Sequence, residues 1–488
     1  MALIGVNDQE FKSVQFARLS PDQVRRIHWA SLEILERFGA KLHHQEAIDL
    51  LKKGGADVSD GNQVRIPSGM VEKAFSTAPK RVVLYDRHGE PAMPLESHRC
   101  FYGPGSDCMN IIDHRTGERR RPTLQDVVEG TIVCDALPDI DFVMSMVLPG
   151  NVDQAAADVH QMEAMLSHTT KPIIVVSYEL RGIVAAVEMA EVVVGGPDAL
   201  RRTPPITCYV NVVSGVNHNA EALQKLLYLS EKGLPCLYIP ASTGGVTSPV
   251  TPAGAVVLDN AGVLLGVVLS QLKREGAPYI MTGMQPSPMD MRTMVTPYAD
   301  PQRGIFQAMA RFYNLPAFGW GGVSDSKLVD QQAAAEAALT LLAESLVGGN
   351  IIHDLGYLES GLTFSLAQLV VCEELIGWIE VFLRGVEVSD ESLALDVIGQ
   401  VGSEGHFMNQ EHTRQHFGEA WYPDLLDRTD HKTWHAAGSK TLGERAAERV
   451  ERILSEHQPE PLPTRVRQEL RRIVEQAEAG SSFTVASG

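Results

Sequence analysis

Aromatic rings and carboxyl groups recur in this chain just beyond short apolar runs, and that pairing implies a particular chemistry. Tyr178 and Glu179 close one such run; Trp320, Gly321 and Gly322 lead on to Asp325; His353 and Asp354 precede Tyr357 and Glu359. Lysine and arginine are almost missing from these stretches, and Lys327 is the nearest base. A quaternary ammonium has no N–H to donate, so it is held by ring faces and diffuse negative charge. Tyr178, Trp320 and Tyr357 are therefore expected to touch a methylammonium group. Asn211, Gln285 and His353 would orient the rest of the ligand, a carboxylate included. Glu179, Asp354 and Glu359 are the acidic candidates, and none is assigned as nucleophile or acid–base. His353 and Asp354 are not expected to work as a relay, because neighbours on a strand point to opposite faces.

Six glycines stand at the same run ends: Gly103, Gly105, Gly244, Gly245, Gly321 and Gly322. Glycine there makes a sharp turn, offers backbone N–H groups to an anion, or lets something bulky approach the backbone. No metal site is expected. His406, Glu411 and His412 lack the i, i+4 spacing that aligns ligands on one helix face. His412 and His416 do have it, and read as packing or as a partner-facing surface. A nucleophile elbow, a dinucleotide fingerprint and a phosphate loop are all missing from the sequence.

The side chains need a common frame, and the apolar runs supply it. Residues 100–103, 141–146, 172–178, 205–212, 235–241, 278–284, 315–321 and 350–354 recur at helix-plus-loop spacing. Short β-branched runs without alternation, separated by helical stretches, describe a parallel sheet buried on both faces. Eight such units close a (β/α)8 TIM barrel, whose chemistry sits in the loops after each strand. The spacing predicts crossover helices over 155–167, 182–194, 219–232, 253–275, 302–313 and 331–346.

A mainly helical N-terminal extension is expected over 1–95, with helices at 21–38, 44–53 and 68–76 and short strands near 83–85 and 92. The α/β barrel then takes 96–385, a helical C-terminal extension 386–480, and a disordered tail 481–488.

A net charge of −19 over 488 residues argues against nucleic acid or an anionic membrane as partner. Six cysteines with no CxxC point to a reduced cytoplasmic compartment. The N-terminus lacks the basic-then-apolar pattern of a signal peptide. Residues 252–272 form the longest apolar stretch, and Asp259 with Asn260 makes it a buried helix rather than a span.

Several blocks together resemble one family: Tyr102–Asp107 (YGPGSD), Asp113–Arg120 (DHRTGERR), Asp135–Asp141 (DALPDID), Ser324–Lys327 with Asp330, Gln332 and Glu336, then Gly405–Phe407, Glu411–Thr413, and Trp434 with Gly438–Lys440. The chain is identified by them as a member of the trimethylamine methyltransferase (MttB-like) family, over about residues 15–460. The resemblance implies a barrel, and methyl transfer from a methylamine or betaine to cobalt of a separate corrinoid protein. It implies no cofactor tightly bound in this chain, the cobalamin being carried by the partner. Archaeal trimethylamine enzymes of the family carry pyrrolysine, and this sequence has no such position. That likens it to the non-pyrrolysine branch, which demethylates quaternary amines, with glycine betaine favoured. The six glycines would then form a rim facing the corrin ring. Methyl transfer to a folate, or betaine binding without catalysis, are the alternatives. A homo-oligomer is expected.

Overall fold

The computed structural model describes residues 16–284 and 287–480. The expected tail at 481–488 and Gln285 lie outside the described residues. Seven parallel strands form one curled sheet: Phe101–Pro104, Ile173–Val176, Ile206–Val212, Cys236–Pro240, Tyr279–Thr282, Ala317–Trp320 and Ile351–Leu355. The first and last of these are neighbours, with Ile351 opposite Phe101.

The second of the eight expected units closes the ring without becoming a regular strand. Residues 141–147 lie between Phe101–Pro104 and Ile173–Val176: Asp141 N–H donates to Tyr102 O at 2.7 Å, and Val143 N–H to Pro172 O at 2.9 Å. The Asp141 carboxylate itself accepts from Tyr102 N–H at 2.7 Å, taking the place of a ladder bond. Met146, at φ 62°, then bends the segment out of extended geometry. The result is the (β/α)8 barrel that the rhythm of the sequence implies.

One end of this barrel is plugged. Hairpin Val82–Tyr85 with Pro91–Leu95 inserts Val82, Leu84, Met93 and Leu95 into the same buried cluster as Ile174, Leu237, Ile280 and Phe318 from the barrel wall. Apolar closure at the strand starts leaves the strand ends as the accessible face. Ahead of the hairpin, Ser20 caps helix Pro21–Glu33 in a capping box with Gln23. Strands Ala40–Leu42, Gln63–Arg65 and Asp57–Asp60 form a small sheet with Asn217–His218, which the sequence reading did not foresee. Two-residue pairings with distant loops carry no periodic signal of their own.

At the mouth, Tyr357–Leu358, Thr363–Ser365, Asn110–Ile112 and Arg119–Arg120 form a four-stranded cap that joins the loops after the first and eighth units. Helix Pro252–Lys273 is long and apolar enough to cross a membrane, yet it packs between Pro21–Glu33, Ser68–Thr77 and the barrel. Helices Leu442–Glu456 and Thr464–Glu478 lie against the outside of the barrel helices. All six cysteines are free and buried.

Candidate active site

The strand ends surround a cavity of about 750 Å³, lined among others by Asp107, Tyr209, Asn211, Tyr298, His353, Asp354 and Tyr357. Its wall on the eighth unit departs from strand geometry. Asp354 adopts φ 74°, and the register with the first strand slips between Ile352 and Leu355. A left-handed residue rotates the chain, so His353 and Asp354 both face the cavity, which the simple alternation of a strand forbids. His353 Nε2 comes within 3.1 Å of Asp354 Oδ1. On the other side of the ring, Nδ1 lies 2.6 Å from Gly319 O, which fixes the proton on Nδ1 and leaves Nε2 as acceptor.

Asp107 sits across the eighth–first seam and has φ 62°. Its Oδ1 accepts from Ser145 Oγ at 3.2 Å and Gln161 Nε2 at 3.3 Å. Between the two acids, Tyr357 donates its hydroxyl to Ser106 O. Asp354 and Tyr357 lie directly over Gly105, and a Cβ there would land inside both side chains. Gly105 is thus required by close approach within the site.

Two rings escaped the sequence reading. Tyr209 precedes Asn211 by two positions on strand Ile206–Val212 and therefore shares its face. That spacing was the available signal. Tyr298 comes from the long loop after strand Tyr279–Thr282 and has no periodic signature. It is fixed by its partners: its N–H donates to Asp325 Oδ1 at 2.9 Å, and its carbonyl accepts from Arg303 Nη2 at 2.5 Å. Trp320 stands behind it, 6% exposed, with ring centroids 4.7 Å apart, and does not line the cavity. Arg303 lies over the Trp320 ring at 5.2 Å and donates to its carbonyl.

The remaining expected residues divide clearly. Tyr178, 70% exposed, and Glu179 stand on the rim, Glu179 paired with Arg181 at 2.9 Å. Asn211, His353 and Tyr357 line the cavity. Glu359 is drawn away into the four-stranded cap, where it pairs with Arg119 at 2.8 Å. The glycines do not form a rim: among the six, only Gly245 is exposed. Gly103 packs on Phe142, Gly244 on Pro288, Gly321 on Ile352 and Leu341, and Gly322 on Leu355 and Cys372. Small residues at barrel strand ends here serve packing against the next layer.

The family model for trimethylamine methyltransferase (MTTB) matches residues 7–481. A trimethylamine methyltransferase, MttB, of Desulfitobacterium hafniense is 35% identical over 95% of this chain and 94% of its own length. The chain belongs to the trimethylamine methyltransferase family. It is accordingly an enzyme of the methyltransferase class. The MttB of Methanosarcina barkeri is 30% identical, with 98% of both chains covered. A glycine betaine methyltransferase of Desulfitobacterium hafniense is 28% identical, over 94% of this chain and 96% of that one. Among solved structures, the monomethylamine methyltransferase MtmB of Methanosarcina barkeri aligns with a TM-score of 0.43 at 12% identity, covering 95% of this chain and 93% of that one.

Two of the sequence blocks that mark this trimethylamine methyltransferase family member build the frame around the site. Arg120 bridges Asp113 at 3.0 Å and Asp126 at 2.7 Å. Glu336 accepts from Ser324 Oγ at 2.7 Å and from Asp325 N–H at 2.8 Å, which steadies the carboxylate that holds Tyr298.

Burial sets the electrostatics of the cavity. Burial raises the Asp107 carboxyl to about 6, Gln161 and Ser145 opposing the shift. Burial likewise holds the Asp354 carboxyl well above its usual range and pushes the His353 imidazole down. Both shifts favour the uncharged form of the group concerned. The phenols of Tyr209, Tyr298 and Tyr357 are raised by burial and stay neutral, keeping their ring faces electron-rich. Lys225 is the cationic side chain of the lining. Its Nζ donates to Ser177 O at 2.7 Å and to Tyr178 O at 3.3 Å, leaving one of three donors uncommitted.

Proposed function

We propose that this chain transfers a methyl group from a small quaternary amine of the betaine class, with glycine betaine favoured, to the Co(I) of a separate corrinoid protein. The observation that carries the reading is the cavity: buried Tyr357 and Asp354 meet half-buried Tyr209, Tyr298 and Asp107 at the open end of a barrel whose other end is plugged. Ring faces with weakly ionised acids suit a cation that has no N–H to give.

Tyr209, Tyr298 and Tyr357 hold the methylammonium group in this reading, with Tyr178 at the rim. Asp107 and Asp354 supply partial negative charge. Positive charge on nitrogen disappears as the reaction proceeds, so two fully ionised acids would hold the substrate against its own conversion. The C–N bond breaks with its electron pair leaving on nitrogen as a neutral tertiary amine, so no proton donor is needed. Lys225 and Asn211, on the wall opposite Asp354, receive the carboxylate of a betaine. Positioning is the main task left to the protein.

The corrinoid, when docked, supplies the nucleophile that accepts the methyl group. The mouth is suited to a flat, largely apolar face. Val213, Val246, Val250, Met291 and Met294, on the loops after strands Ile206–Val212, Cys236–Pro240 and Tyr279–Thr282, are all more than half exposed. Met291 and Val250 converge beside Gly245. Six free, buried cysteines fit the reducing cytoplasm in which such a reaction is expected.

The test is an anaerobic assay that follows loss of Co(I) absorbance. The protein is mixed with a reduced corrinoid protein and, in turn, glycine betaine, longer betaines, choline and trimethylamine. Loss with a betaine and not with trimethylamine supports the proposal. Calorimetric binding of a betaine with no change at cobalt, even when a folate acceptor is added, would instead make this a binding protein.

A further inference from the structure

The main cavity has a smaller neighbour. A chamber of about 80 Å³ adjoins it between the loops that follow residues 141–147 and strand Ile173–Val176. The two spaces share Asp107, Val176, Tyr178 and Glu179 as wall. On its far side the chamber shares Leu148 and Gln154 with a concavity of about 450 Å³, walled also by exposed Met109 and Gly150. The three spaces thus stand in series from the site to the surface.

The side chains around the chamber are anchored away from it. Gln161, which is buried, donates to Asp107 Oδ1 at 3.3 Å and to Val147 O at 2.8 Å. Asp158 accepts from Ser177 Oγ, and the pair lies over Gly182, where any Cβ would collide with both. Gln154 donates to Pro149 O at 2.9 Å and Val152 O at 3.1 Å. Arg181 ties the two loops together, reaching Ala155 O at 2.7 Å and Glu179 Oε2 at 2.9 Å. The chamber is larger than the roughly 15 Å³ that one water needs and its walls are polar, so it is hydrated. Its three carboxyl groups, on Asp107, Asp158 and Glu179, outnumber the one guanidinium of Arg181, which favours a cation. Tyr178 belongs to both walls, and an exposed ring of this kind changes rotamer within picoseconds to nanoseconds.

We propose that this chamber is a side passage by which the amine enters and leaves the cavity while the mouth is covered. The inference rests on the methyl-transfer reading above. In that reading the corrinoid lies on the apolar loops after Ile206–Val212, Cys236–Pro240 and Tyr279–Thr282. The outer end of the passage lies beside Met109 and Gly150, which follow Phe101–Pro104 and residues 141–147, nearly across the ring from Cys236–Pro240. A single opening would force the amine to bind before the corrinoid protein and to leave after it. A second, hydrated opening lets the amine exchange under a docked partner. Its width suits a small amine and excludes a macrocycle.

Blocking the passage without touching the cavity tests this. Ala155 is exposed, lines the chamber and does not border the main cavity. All six native cysteines are buried, so Ala155→Cys is open to selective modification by a bulky maleimide, with the unmodified variant as control. Initial rates of Co(I) loss are measured with glycine betaine while the reduced corrinoid protein is raised from limiting to large excess. The unmodified protein is expected to reach a plateau. After modification the rate at limiting corrinoid protein should stay within about twofold, whereas excess should depress it at least about tenfold, because release of the partner then limits entry of the amine. Gln154→Trp, at the junction with the outer concavity, should show the same inhibition. Inhibition by excess corrinoid protein in the unaltered chain, or identical curves before and after modification, would overturn the proposal. Absence of Co(I) loss at every concentration would instead overturn the methyl-transfer reading on which it rests.

Discussion

His353 Nε2 lies 3.1 Å from Asp354 Oδ1 although the two are consecutive residues of one strand. The left-handed backbone at Asp354 makes this possible, and both side chains face the cavity. Non-glycine residues in this region of φ,ψ cost about 1–3 kcal/mol and persist where the surroundings over-determine them.

Replacing Asp354 by Asn keeps the size and removes the titratable oxygen. It is expected to raise KM for the amine about 10-fold, corresponding to ~1.4 kcal/mol of lost attraction between the carboxyl and the cation. His353→Gln should have a smaller effect, since it touches the substrate only through Asp354. Steady-state kinetics on both variants checks the order, and an unchanged KM in Asp354→Asn would remove that residue from substrate recognition.

Asp107 gives the site a pH dependence with a definite sign. Its carboxyl is raised to about 6 by burial, so below that pH it is neutral and above it ionised. A cation binds the ionised form better, and binding in turn expels the proton. The dissociation constant should therefore fall as pH rises through about 6 and level off above. Asp107→Asn should lack this step. Calorimetry in two buffers of different ionisation enthalpy would reveal the released proton directly.

The tyrosines separate ring from hydroxyl. Tyr209→Phe and Tyr298→Phe keep the ring face and should bind within threefold of the parent. Leucine at either position should weaken binding about tenfold, in line with ~1–2 kcal/mol for a desolvated cation–π contact. A phenylalanine variant as weak as the leucine one would show that the hydroxyl, and not the ring, recognises the ligand.

Gly105→Ala tests the close packing under the acids. The added methyl meets Asp354 and Tyr357 at once, and neither can retreat: one is held by His353, the other by Ser106 O. A loss of at least about 1–3 kcal/mol in stability is expected from overpacking. Amine binding should fail with it. Gly245→Ala is strained by its positive φ but lies on the exposed rim, and should leave amine affinity unchanged. Thermal melts and titrations on the pair check the contrast.

The sequence by itself determined the barrel and the family. Strand–helix rhythm is written in local hydrophobic pattern, which survives reading one residue at a time. The same pattern located the face that carries chemistry, and Tyr178, Asn211, His353 and Tyr357 all border the cavity. Only the tertiary structure decided which groups meet there. Asp354 joins His353 because one residue takes a rare backbone conformation, and no composition rule announces that. Tyr298 arrives on a loop and is fixed by its near neighbour Arg303 and by Asp325 from the following unit, a pairing no local pattern announces. Trp320 and Glu359 stand at strand ends as expected and yet turn elsewhere, one into packing and one to Arg119. Strand position fixes where a Cα lies; the direction of the side chain depends on what the neighbouring layers leave free.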